Sequence, residues 1–265
     1  MTMKIDVVLP FILFLITTAV SLLYVKFEGK IKSLLGGKEF RLRDAVLLVV
    51  AMGVMVTILV FIPEVAILAF FLFIYSLVLF TFTYLVTPKW YVAVLPPAVF
   101  VFLYFYYWNL YWLNLFAVVF AVFVSVYLGS LFTWKTTAAF AALLTLMDIV
   151  QVLGTRFMVV SSEKMIGLLL PTMVILPTFP SEGRIILGLG DIFLSGLLVI
   201  QTTRRYGRKF GTVSIILIAS VFLLLETILL NFVVRYFPAT VMVLCGWFAA
   251  LGMRYLYKSL AFETG

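Results

Sequence analysis

Three acids lie inside long apolar runs of this 265-residue chain: Asp148, Asp191 and Glu226. An ionisable side chain in lipid costs about 2.5–3.5 kcal/mol on insertion scales, so each needs a functional or packing reason. Two carboxyl groups that face one another in a low dielectric cannot both ionise easily, and they share a proton. One then acts as general base on a water while the other, protonated, polarises a carbonyl. Asp148 and Asp191 are the pair for such chemistry. The competing reading of the same pair is two unrelated acids, partnered by Lys135 or Arg184 or lining a proton path. Glu226 reads as a packed, protonated carboxyl near Thr227 or Asn231.

The chain contains no histidine. That excludes serine–histidine intramembrane proteases and zinc proteases with paired histidines. Acid–base chemistry must come from carboxylates, lysine, tyrosine or cysteine. The dyad reading requires no metal and no cofactor. The lone Cys245 sits in an apolar run and reads as core packing.

Composition decides what surrounds these acids. The chain is 65% hydrophobic and 11% charged, where a soluble domain carries about 25% charge. Too little polar surface exists to cover a water-soluble globule, so the solvent is lipid. The net charge of +8 then reflects membrane topology and not a nucleic-acid partner.

A spanning helix needs ~20 apolar residues. Nine runs approach that length: Val7–Val25, Ala45–Ile62, Val65–Val86, Tyr91–Tyr107, Leu113–Phe132, Thr136–Leu153, Ile185–Gln201, Val213–Val233 and Thr240–Tyr257. The first is too long for a signal-peptide core and no small-residue cleavage site follows it, so it reads as a retained span. The expected fold is an all-α integral membrane protein with nine transmembrane helices. Residues 1–135 form a five-helix scaffold region and residues 136–265 a four-helix catalytic region. The one long connection, Gly154 to Arg184, holds an apolar stretch at Met165–Leu176 that is too short to cross and reads as interfacial or re-entrant.

These spans give the acids a common depth. Asp148 precedes the end of the sixth run at Leu153, and Asp191 follows the start of the seventh at Ile185. At ~1.5 Å per residue both lie roughly 8–9 Å below the same membrane face. Consecutive spans run antiparallel, so the two carboxyls can meet.

Orientation follows the lysines and arginines. With the N-terminus outside, fourteen of the nineteen lie on the cytoplasmic side, including Lys26–Arg43, Arg204–Lys209, Arg254 and Lys258. Lys4, Arg156, Lys164, Arg184 and Arg235 make up the other side. The C-terminus is then cytoplasmic, and Gly154–Arg184 lies outside.

Asp191 belongs to Gly188-Leu189-Gly190-Asp191, and here the chain resembles the GxGD intramembrane aspartyl proteases, the presenilin and signal peptide peptidase family. Three further matches support the resemblance. Asp148-Ile149-Val150, followed by Val152-Leu153-Gly154-Thr155, is similar to the sixth-span aspartate segment of signal peptide peptidases. The two aspartates are 43 residues apart, with a long loop between. Pro238-Ala239-Thr240 opens the ninth span where the family carries Pro-Ala-Leu. The likeness covers the last four spans closely and the first five only in number and hydrophobicity. The overall pattern resembles compact microbial members nearest to the signal peptide peptidases.

The resemblance implies cleavage of transmembrane peptide substrates or remnant signal peptides within the lipid bilayer. It assigns catalysis to Asp148 and Asp191, and substrate contacts to Gly188, Leu189, Gly190, Pro238, Ala239 and Thr240. It also implies that substrate pairs as an added strand with exposed backbone near Gly188 and Pro238. Two positions depart from the family: Met147 stands where tyrosine is usual, and Thr240 where leucine is. A prepilin or preflagellin peptidase shares the GxGD motif but has about six spans and a more polar first aspartate. A proton- or ion-coupled transporter is the alternative outside enzymes, and the two halves show no inverted repeat to support it.

Overall fold

The computed structural model describes residues 4–34, 36–180, 183–232 and 236–263. Its elements in chain order are α1 (Val8–Leu34), α2 (Leu42–Phe61), α3 (Glu64–Val86), α4 (Trp90–Tyr106), α5 (Leu110–Leu131) and α6 (Trp134–Ile149). A π-helical turn (Val150–Gly154) continues α6. Then come α7 (Phe157–Gly167), β1 (Met173–Pro177), β2 (Arg184–Gly188), α8 (Leu189–Tyr206), α9 (Arg208–Asn231) and α10 (Ala239–Glu263). Val233, the expected end of the eighth span, and Arg235 lie outside the described residues.

Among the described residues, seven helices are long and apolar enough to cross a membrane: α1, α2, α3, α5, α6 with its π turn, α9 and α10. The two others of the expected nine fall short for different reasons. Helix α4 is apolar but has 17 residues. Helix α8 has 18 residues and carries Ser195, Gln201, Thr202, Thr203, Arg204 and Arg205.

That polarity follows from where α8 sits. It packs against α1, α5, α6, α9 and α10, and every residue from Asp191 to Thr203 is buried. A helix walled by protein needs no lipid-facing apolar surface. It must instead satisfy its polar groups internally. The Ser195 hydroxyl pairs with that of Thr17 on α1 at 3.2 Å. The Gln201 amide donates to the Gly129 and Phe132 carbonyls at 3.0 and 2.8 Å. The Thr202 hydroxyl accepts from the Trp247 indole on α10 at 3.0 Å. The centre of the bundle is thus an amphiphilic helix held by hydrogen bonds to three neighbours.

The Met165–Leu176 stretch, expected to be interfacial or re-entrant, closes α7 with its first part and forms strand β1 with its last. Two expectations are corrected. Ile185–Gly188 does not begin the seventh helix. It forms β2, antiparallel to β1 with Met173 opposite Gly188 and Pro177 opposite Arg184; Ile185, Ile186 and Leu187 suit a pleated strand. Cys245 faces outward and is exposed, because α10 turns its other face to α9.

Candidate active site

Helix α6 delivers Asp148 at its last turn, one residue before Ile149, and α8 delivers Asp191 as its third residue. Asp191 sits in the first turn of its helix, since β2 takes what was counted as helix before it, whereas the π turn carries the span of α6 on past Asp148 to Gly154. Both acids are buried, at 5% and 8% exposure, and lie close enough to interact electrostatically.

Gly188 is the hinge between β2 and α8. Its main chain and that of Thr240 lie beside the Asp191 carboxyl. A Cβ at Gly188 would stand 3.2 Å from Asp191 Oδ2, so a side chain there would crowd the acid. Gly190 has open space where a Cβ would go, and it lines the cavity. The Thr240 hydroxyl lies beside the Asp148 carboxyl, although it closes no hydrogen bond of good geometry. Thr240 therefore stands next to both acids.

Asp148, Gly188, Leu189, Gly190, Asp191, Pro238 and Ala239 line one cavity of about 590 Å³, walled also by α7 and β2. The structure thus brings together seven of the eight residues expected from sequence, with Thr240 buried directly behind. Glu226 is elsewhere. Asn231, its expected neighbour, bonds instead to the backbone of Lys4, donating to its carbonyl at 2.8 Å and accepting from its amide at 3.1 Å.

Positioning residues that the sequence did not reveal surround this core. The Gln151 amide, three residues after Asp148, donates to the Gly53 carbonyl of α2 at 3.0 Å and pins the π turn. A Cβ at Gly53 would come 2.7 Å from Met147 Sδ. Met147, the departure beside Asp148, lines the groove between α2 and α6 and not the cavity of the acids. Lys164 of α7 donates to the carbonyls of Leu59, Val60 and Ile62 at the end of α2, where a cation suits the helix C-terminus.

The sheet beside the acids has one closed edge and one open edge. The Asn114 side chain of α5 accepts from the Ile175 amide and donates to the Ile175 carbonyl, both at 2.8 Å. Those outward groups of Ile175 mark a non-hydrogen-bonded pair with Ile186. The alternation then directs the main-chain groups of Leu187 and Ile185 toward β1, and those of Arg184, Ile186 and Gly188 toward the free edge. Among the described residues no strand covers that edge. It ends at Gly188, beside Asp191.

No protein-family model matches the chain, and no curated protein matches it in sequence. A solved structure of a presenilin family intramembrane aspartate protease, in space group C222, superposes with a TM-score of 0.62 at 12% identity. The match covers 92% of this chain and 97% of that one. At this identity the likeness is one of fold: the chain has the helical membrane architecture of that protease over nearly its whole length.

Proposed function

We propose that the protein is an intramembrane aspartyl protease and that Asp148 and Asp191 are its catalytic dyad. The observation that carries this reading is the meeting of two buried carboxyls, from different helices, in one cavity beside an open strand edge. The fold shared with a presenilin family protease supports it. We further propose that α4 and α8 cross the membrane together with the seven longer apolar helices, with the N-terminus outside and Gly154–Arg184 on the outer side, as in signal peptide peptidases.

In this mechanism the two acids hold one proton between them. The ionised carboxyl takes a proton from a water as its oxygen attacks the scissile carbonyl carbon. The protonated carboxyl gives its proton to the carbonyl oxygen, forming a neutral diol. Collapse of the diol returns a proton to the leaving nitrogen and breaks the C–N bond. A helical substrate hides its amides, so it must unwind first. The free edge of β2 offers the unpaired groups of Ile186 and Arg184 to an unwound segment, which adds as a third strand. Pro238, which lines the same cavity, lacks an amide hydrogen.

The test is cleavage of a reporter transmembrane peptide in detergent or liposomes by wild type and by Asp191→Ala. A defined cut inside the apolar segment, absent in the variant, is expected. Equal cleavage by both proteins would remove Asp191 from the mechanism.

A further inference from the structure

Glu226 has no role in the dyad chemistry, yet its setting is unusual. It is 3% exposed, and neither carboxyl oxygen has a hydrogen-bond partner among the described residues. Leaving a buried acid unpaired is among the more destabilising arrangements available to a protein. Glu226 lines a second cavity, of about 380 Å³, formed by α1, α9, the start of α10 and β2. Arg184, Ile185, Ile186, Phe237 and Ala239 line both this cavity and the one holding Asp148 and Asp191. The open edge of β2 therefore runs between the two.

Four charged groups bear on the second cavity. Asp6 lies near enough to Glu226 for the two acids to repel. The Asp6 carboxylate is already occupied, accepting from the amides of Val8, Leu9 and Phe179. Lys4 and Arg184 are exposed residues at the rim, and Glu226 accepts no hydrogen bond from either. Between rim and acid the wall is apolar, with Leu9, Phe222, Leu229 and Met242. An aliphatic stem ending in a donor or a positive charge matches that sequence of surfaces.

We propose that the Glu226 cavity is a specificity pocket for a lysine or arginine side chain of the substrate, on the carboxyl side of the scissile bond. This rests on the protease reading above for its register. A strand added antiparallel to β2 with its cleaved bond at Asp191 runs back from Gly188 toward Arg184. Its successive side chains alternate between the two faces, one set toward the dyad and the other toward Glu226. The residue reaching Glu226 lies roughly two to four positions beyond the cut.

The experiment measures binding, so that it does not depend on turnover. Fluorescent transmembrane peptides carry lysine, norleucine or glutamate, walked one residue at a time through the C-terminal half. They are titrated against Asp191→Asn protein and against the Asp191→Asn, Glu226→Gln double variant. In one register the lysine peptide should bind the single variant about tenfold more tightly than the norleucine peptide, with glutamate weakest. The preference should vanish in the double variant. No register with a lysine preference, or an equal preference in both proteins, overturns the pocket. Should Glu226→Gln fail to fold, the lysine, norleucine and glutamate ranking on the single variant decides alone. The same peptides offered to wild type separate the two claims. A lysine preference without cleavage overturns the protease reading and leaves the pocket, whereas cleavage without the preference does the reverse.

Discussion

The Asn114 carboxamide closes on both main-chain groups of Ile175, with an amide hydrogen accepted and a carbonyl capped, each at 2.8 Å. It behaves as a one-residue strand. Without it, β1 would present an unpaired edge of its own, and added strands could choose the wrong side of the hairpin. With it, the only open edge of the hairpin among the described residues is the one leading to Asp191.

Asn114→Leu should leave two polar groups of Ile175 unpaired, at roughly 1–3 kcal/mol each. The hairpin should exchange its amide hydrogens faster than in wild type while α8 and α9 keep their protection. Peptide cleavage should fall by about tenfold or more, since small misplacements at a template are expensive in rate. Unchanged exchange over Met173–Gly188 would show that Asn114 is not holding the sheet.

Asp148→Asn and Asp191→Asn should each abolish cleavage and leave the protein folded in detergent. Because the carboxyls act as a unit, the double variant should be no worse than either single one. Full activity in either single variant rules the assignment out.

Cleavage should follow a bell-shaped pH profile. At low pH both carboxyls are protonated and no base remains; at high pH both are ionised and no acid remains. The two limbs report the pair and not either residue alone. A rate flat from pH 4 to 9 contradicts carboxylate acid–base chemistry.

Topology can be read by labelling single cysteines in a Cys245→Ser background, since Cys245 is itself exposed. Glu163 on α7 and Lys209 after α8 are exposed positions at opposite ends of α8. Glu163→Cys should react with an impermeant thiol reagent on sealed cells. Lys209→Cys should stay protected until the membrane is opened, because Arg204, Arg205, Arg208 and Lys209 resist translocation. The reverse pattern inverts the protein and places Asp148 and Asp191 near the cytoplasmic face.

Local chemistry made part of this protein legible in its sequence. Apolar runs of spanning length announce helices in lipid whatever they pack against, and rare acids within them stand out for their insertion cost. Asp148, Asp191 and the glycines beside Asp191 stand out as candidates on that basis and through the GxGD pattern. The tertiary structure decided what depends on partners. Ile185–Leu187 reads equally as buried helix or strand, and only β1 across the ladder makes it β2. Helix α8 falls short in hydropathy because five neighbouring helices replace lipid around it. Asn114, Gln151 and Lys164 look like isolated polar residues in the chain, and each acquires its role from a carbonyl or amide 61 to 105 positions away. Glu226 is conspicuous in the sequence, but that it faces a cavity sharing a wall with the one lined by Asp148 and Asp191 is a property of the packed bundle. Periodicity and burial cost act along the chain; pairing and enclosure are set only when distant segments meet.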